Sequence, residues 1–249
     1  MKCFVISDIH SFYYEMISAL NVSGFEKDNP QHVLICLGDL LDRGPDPKKC
    51  LEFINSVPRK ILIKGNHEDL LQEAIQRKGF LSHDFSNRTF ETVQKVTGIK
   101  SFNEKSDAIM LESFSNNELW KTYINSCIDY VETDKYIFTH GWIPIGDDWR
   151  NGDWSSARWT NGMQSWKDGL VVNDKTILCG HWHTSWGHHF IDNKCPEWDM
   201  DIWFDKNSRA DFSTFKKKGI IALDACTAVS KFCNCEVLNI PRKQLEGYL

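Results

Sequence analysis

The sequence predicts an α/β fold in which two mixed β-sheets pack as a sandwich with helices outside them, in a single domain over residues 1–249. Three observations predict it. Apolar, β-rich segments alternate with helical patterns from Lys2 to Ile63, the rhythm of parallel strands joined by right-handed crossovers. A second run of strand-like segments follows the polar middle of the chain, as a second sheet packed on the first requires. Clusters of Asp, Asn, His and Arg stand at the carboxyl ends of these strands, where ligands of such sheets gather.

Lys2 to Ser7 opens the chain as a strand, and Met16, Ile17 and Leu20 mark a helix ending near Gly24. Val33 to Leu37 is the second strand. Asp46-Pro47 reads as an N-cap followed by proline at the first helical position, opening a helix through Leu51 and Ile54. Lys60 to Ile63 is the third strand. A helix from Glu68 to about Lys78 has acidic residues in its first turn, apolar Leu70, Leu71, Ala74 and Ile75, and Gly79 as its C-terminal cap. From about 80 to 125 the chain is polar and helical in pattern, an insertion that caps or flanks the site and is expected to set substrate choice. Strands resume at Lys135 to Thr139, Thr176 to Cys179, Gly219 to Leu223 and Glu236 to Ile240, the expected second sheet.

The formal charge of −5 excludes a global basic field, so stable nucleic-acid binding is not expected. The first apolar segment reaches Asp8 too early for a secretory leader, and no apolar run is long enough for a bilayer, so a cytoplasmic protein with no membrane partner is expected. Nine scattered cysteines suit reduced core thiols. Cys233 and Cys235 fit alternation along a strand and have no second pair for a zinc site.

Asp8-Ile9-His10 follows the first strand, where alternation in extended chain would let carboxylate and imidazole share a face and hold one metal. Gly38-Asp39-Leu40-Leu41-Asp42-Arg43-Gly44 follows the second, with two carboxylates and a guanidinium between turn-permitting glycines. Gly65-Asn66-His67-Glu68 follows the third: Asn66 can offer a carbonyl oxygen to a metal, and His67, pointing elsewhere, can give a proton to a leaving oxygen. Two later strands run into His140-Gly141 and Gly180-His181. Imidazoles combined with oxygen donors suit first-row transition metals.

In order, these five motifs resemble those of the PPP-type metallophosphatases, within the calcineurin-like phosphoesterases. The resemblance covers Lys2 to about Ile240 and leaves the insertion unmatched. It implies two divalent transition-metal ions, manganese foremost with iron, zinc or cobalt as alternatives. Asp8, His10 and Asp39 would hold one ion and Asn66, His140 and His181 the other, with Asp39 bridging. Two divalent ions outweigh two carboxylates and a hydroxide, which leaves positive charge for an incoming phosphoryl group. The family mechanism is in-line attack by hydroxide held between ions ~3.5–4 Å apart. By the same resemblance His67 protonates the departing oxygen, Asp42 holds its imidazole, and Arg43 grips phosphate oxygens. Arg158 is the expected second phosphate arginine, ahead of Arg150.

Asp224 resembles a late strand-end carboxylate of the family and is not assigned to catalysis. His183 is expected to line the pocket, and His188 and His189 to lie at the surface or behind the site. Most of the ten tryptophans suit packing, with Trp142 and Trp182 as candidates to face substrate. Trp142 replaces a glycine usual in the large eukaryotic enzymes, and their late Ser-Ala-Pro-Asn-Tyr loop has no counterpart. Both departures point to the compact bacterial or phage branch, which contains protein phosphatases and symmetrical dinucleoside tetraphosphate (Ap4A) hydrolases. The expected substrate is a phosphomonoester, foremost a phosphorylated Ser/Thr or Tyr protein. A dinucleoside tetraphosphate is the alternative, and a catalytically inactive binding scaffold a remote third.

Overall fold

The computed structural model describes residues 1–100, 102–195 and 210–249. In chain order the strands are β1 (Lys2–Ile6), β2 (His32–Cys36), β3 (Lys60–Ile63), β4 (Cys127–Ile128), β5 (Val131–Glu132), β6 (Tyr136–Phe138), β7 (Thr176–Cys179), β8 (Phe215–Lys217), β9 (Ile220–Ala222) and β10 (Cys235–Asn239). One sheet runs β10-β1-β2-β3-β4 and the other β5-β6-β7-β9-β8. In the first, β1 to β4 are parallel and β10 is antiparallel to β1; in the second, β6, β7 and β9 are parallel and β5 and β8 are antiparallel edges. Both sheets are mixed, as expected.

The central strands are apolar on both faces because both faces are buried. Cys3, Val5, Val33, Ile35, Ile61 and Ile63 of the first sheet meet Phe138, Leu178 and Ile221 of the second in one core between the sheets. Their sequence neighbours Phe4, Ile6, Leu34, Cys36 and Leu62 face a helical layer instead. Ile137, Ile177, Cys179, Ile220 and Ala222 face outward from the second sheet onto Trp142, Trp149 and Trp154. A strand period of two therefore feeds three cores from two sheets.

The helices are α1 (Tyr13–Val22), α2 (Pro47–Ser56), α3 (Asn66–Arg77), α4 (Ser82–Ser86), α5 (Thr89–Thr97), α6 (Glu104–Ser115), α7 (Glu118–Asn125), α8 (Trp154–Ala157), α9 (Gly162–Lys167), α10 (Ser185–Phe190) and α11 (Thr227–Ser230). Asp46 stands at the N-cap of α2 with Pro47 at its start, but its carboxylate pairs with Lys49 at 2.8 Å and makes no cap bond. The left-handed cap of α3 falls on Lys78, with φ 57°, one residue before the expected Gly79. Helices α4 to α7 occupy the 80–125 segment, and Val93, Val96, Met110, Leu111, Phe114, Trp120 and Tyr123 pack α5, α6 and α7 into the helical layer on the first sheet.

One strand is placed differently from expectation. The last, β10, joins the first sheet and not the second, pairing Lys2 with Asn239 and Ile6 with Cys235. The reason is edge protection: β10 covers the otherwise open edge of β1 and turns Leu238 into the inter-sheet core. The short strands β4, β5 and β8 were not anticipated, since two or three residues carry no readable alternation. All nine cysteines are free thiols. No helix among the described residues is long and apolar enough to cross a membrane.

Phe138 is fully buried between the sheets. Its replacement by Ala is expected to cost about 3–5 kcal/mol of unfolding free energy, read from the denaturant midpoint. A loss below about 1 kcal/mol would contradict the packing of Phe138 between the sheets.

Candidate metal centre

Five strands, β1, β2, β3, β6 and β7, each end just before one of the polar motifs. The chain leaves them by turning. Asp8 (φ 52°), His10 (48°), Asp39 (53°), Asp42 (71°), Arg43 (58°) and His181 (64°) all adopt left-handed backbone. Such residues cost of order 1–3 kcal/mol each and persist where their surroundings over-determine them. Asp8 and His10 thus do not share a face by extended alternation, as their spacing suggested. Instead the N–H groups of Asp8, His10 and Ser11 donate to the carbonyls of Gly38, Asp39 and Leu40 at 3.2, 2.9 and 2.8 Å, laying one loop along the other.

Asp39 stands at the centre, 2 % exposed. Its Oδ1 lies 3.4 Å from His140 Nε2, and its Oδ2 lies 3.6 Å from His10 Nε2 and 4.0 Å from His67 Nε2. Asn66 Oδ1 is 2.9 Å from both His140 Nε2 and His181 Nδ1. Two groups of donors result, His10 with Asp39 and His67, and Asp39 with His140 and His181, each with its ligand atoms within 4.8 Å of one another. Asp39 belongs to both. Asp8 is buried against them, accepting the His181 N–H with both oxygens at 3.1 and 3.0 Å, and lies outside either three-residue group.

Backbone carbonyls orient the imidazoles. His140 Nδ1 faces Leu37 O at 2.8 Å and His10 Nδ1 faces Leu41 O at 3.0 Å, so each Nδ1–H donates and Nε2, turned towards Asp39, is the nitrogen that an ion would take once it is deprotonated. His10 Nε2 is buried without a hydrogen-bond partner among the described residues. Atoms bound ~2.0–2.2 Å from a common ion at angles of roughly 90–110° sit about 2.8–3.6 Å apart, and the separations of 2.9 and 3.4 Å around Asn66, His140 and Asp39, and of 3.6 Å between Asp39 and His10, fall in that range. The residues therefore fit divalent ions.

The electrostatics agree. Burial works against the Asp39 charge, but the imidazoles of His140 and His67 outweigh it and hold the carboxyl well below its ordinary range. Burial, then the charges of Asp224 and Asp39, drive Asp8 well above that range. Asp39 and Asp8 overcome burial at His140 and raise it to about 10. His181 is pushed down to about 3 by burial and His140, and His10 well down by burial and Arg43. Crowded carboxylates that force a proton onto a buried imidazole mark a place where positive charge is needed.

Beside this cluster His67 Nδ1 meets Asp42 Oδ2 at 2.8 Å, which commits its N–H there, and Nε2 accepts from Arg43 Nη2 at 3.2 Å. The His67 ring lies 4.7 Å from that of His10. Glu68 has a part that the sequence reading confined to the helix terminus. Its carboxylate accepts the backbone N–H groups of Gly65, Asp39 and Leu40 at 2.8, 2.9 and 3.1 Å and the Tyr123 hydroxyl at 2.9 Å. It ties the second and third motif loops to α7. The signal was present as Gly65-x-x-Glu68, a capping-box spacing. Gly65 itself is required, since a Cβ there would stand 2.2 Å from Asp39 Oδ1.

Arg158 is buried with its guanidinium on Asp69 at 2.7 Å and on Asp129. Arg150 is exposed and bidentate on Glu132. Asp224 accepts Cys226 N–H at 2.7 Å, and burial raises it to about 6. His183 turns to Ser185 Oγ at 2.7 Å, His188 to Ser213 O at 3.0 Å and His189 to Cys195 O at 2.8 Å. Trp142 does not face the cluster: it is buried, with its indole N–H on Leu170 O at 2.9 Å. Trp182 and Trp159 are partly exposed, with ring centres 6.0 and 5.8 Å from His181. Trp198 and Trp203 lie outside the described residues. A cavity of ≈ 490 Å³ lined by Trp142, Ile143, Trp149 and Leu170 shares no residue with the donor groups.

A carboxylate shared by two cation-sized groups, at the strand ends of two packed mixed sheets, defines a metallophosphoesterase class of fold and site. The chain belongs to the calcineurin-like phosphoesterase family, whose model matches residues 1–204. It is 36 % identical over 69 residues to a symmetrical bis(5'-nucleosyl)-tetraphosphatase of Proteus mirabilis, covering 27 % of this chain and 24 % of that one. It is 34 % identical over 70 residues to serine/threonine-protein phosphatase 1 of Salmonella typhimurium, covering 28 % and 31 %. The match thus spans under a third of each relative. Among solved structures, a cold-active protein tyrosine phosphatase aligns with TM-score 0.58 and 13 % identity over 96 % of this chain and 73 % of that one. A candidate diadenosine tetraphosphatase aligns at 0.53 and 11 %, over 95 % and 92 %. These two likenesses concern the fold.

Glu68→Gln places an NH₂ group against at least one of the N–H donors it now accepts. It is expected to cost about 1–3 kcal/mol and to lower metal content, read by thermal unfolding and elemental analysis. Unchanged values in both would refute the role given to Glu68.

Proposed function

We propose that the chain hydrolyses phosphate esters, foremost phosphomonoesters including phosphoproteins, with one divalent transition-metal ion held by Asp8, His10 and Asp39 and a second by Asp39, Asn66, His140 and His181. The observation that carries this reading is the placement of the two Asp39 oxygens, one towards His140 and one towards His10. Bound there, the ions would acidify water into a nucleophile and neutralise phosphate charge.

The chain's own side chains supply the rest. Arg43, whose Nη2 contacts His67, is in reach of the same spot and can grip phosphate oxygens through its planar fork. Once phosphate draws that fork away, His67 Nε2 is free to carry the proton that the departing oxygen needs, while Asp42 keeps Nδ1–H oriented and balances the charged imidazole. Arg158 is already neutralised by Asp69 and Asp129, which supports a role in holding the loop beside His181 more than one in gripping phosphate. The presence of every expected donor and of His67 speaks against an inactive scaffold.

Hydrolysis of a symmetrical dinucleoside tetraphosphate is the second reading. The exposed rings of Trp159 and Trp182 beside His181 favour it, since each offers a face on which a base can stack.

His67→Ala is expected to keep its metal while turnover falls by about 10²–10⁴-fold, checked by elemental analysis beside steady-state kinetics; loss of both together would make His67 a ligand. Phosphopeptide, 4-nitrophenyl phosphate and diadenosine tetraphosphate, compared on one manganese-loaded preparation, separate the two substrate readings. Highest kcat/KM on the phosphopeptide supports the first, and on the dinucleotide the second.

A further inference from the structure

We propose that Thr89, the first residue of α5, is a positioning residue for proton delivery: its hydroxyl fixes the Asp42 carboxylate that orients His67. The inference rests on the reading of His67 as proton donor. Asp42 Oδ2 receives two hydrogen bonds, from Thr89 Oγ1 at 2.8 Å and from His67 Nδ1 at 2.8 Å. Asp42 and Thr89 are both fully buried, and Asp42 Oδ1 has no hydrogen-bond partner among the described residues. The carboxylate is therefore anchored through one oxygen. Thr89 must be the donor, because an ionised carboxylate only accepts. By occupying one lone-pair direction of Oδ2 it leaves the other for His67 and restrains a terminal torsion that is otherwise broad.

The backbone repeats the clamp. Arg43 N–H donates to Asn87 O at 3.0 Å, and Arg88 Nη1 donates to Arg43 O at 3.1 Å. Both sides of the left-handed residue Arg43 are thus held by the corner that opens α5. That corner belongs to the 80–125 segment, whose helices α5, α6 and α7 pack on the first sheet. Proton delivery is accordingly built from two parts of the chain. His67 supplies the proton, and Thr89, reaching Asp42 from the inserted helices, sets the angle at which it is presented.

The test compares two substrates on the intact manganese-loaded chain. 4-Nitrophenolate leaves as a stable anion and needs little protonation, whereas the alkoxide of glycerol 2-phosphate must be protonated as it departs. The ratio of the two kcat values does not depend on the fraction of active protein. Thr89→Val is expected to lower the alkyl-to-aryl ratio by about tenfold or more, with metal content and KM little changed, and Thr89→Ser to restore it. Equal loss on both substrates, or no restoration by Ser, overturns the inference. His67→Ala is run in parallel. If it too leaves the ratio unmoved, the proton-donor reading of His67 fails and the inference with it; if only Thr89→Val leaves it unmoved, the inference alone fails.

Discussion

Asp39 turns one carboxylate oxygen towards His140 and the other towards His10, and the surrounding structure holds that pose. Its backbone is left-handed, its N–H is taken by Glu68, and its Oδ1 accepts the His67 N–H at the first turn of α3 at 3.0 Å. A carboxylate at a helix N-terminus is favoured by the unsatisfied N–H groups there. Gly65 leaves room for it, and Glu68 in turn is fixed by two motif loops and by Tyr123. A single carboxylate is thus placed by groups from three separate stretches of chain.

That arrangement is costly in isolation. Six left-handed non-glycine residues and a knot of buried carboxylates and imidazoles would not hold on a soft support. The support is the pair of sheets, whose strands are buried on both faces and end together at the site. The energy that the strands gain by burial offsets the strain of the loops that leave them.

Much of this was legible in the sequence, and what was not has a physical reason. Strands β1, β2, β3 and β7 stand out because two-sided burial makes them continuous apolar runs. The sheet joined by β10 could not be read, because its pairing with β1 links the two ends of the chain. The donor residues were legible as polar clusters after strands, but their backbone was not, since Asp and His enter left-handed φ more often than most side chains yet do so at only a small minority of positions. Thr89 is one hydroxyl in a polar segment, and its value lies only in which oxygen it meets. Trp142 looked like a substrate contact from its place near His140, yet this large apolar side chain, two residues along the loop, falls into the core.

In the proposed centre Asp39 would be shared by two ions. Electron paramagnetic resonance on the manganese-saturated chain, with metal content measured on the same sample, tests it most directly. Two ions per chain with an exchange-coupled spectrum, lost on Asp39→Asn, is the result this account requires. One isolated ion per chain, or coupling that survives Asp39→Asn, would contradict it.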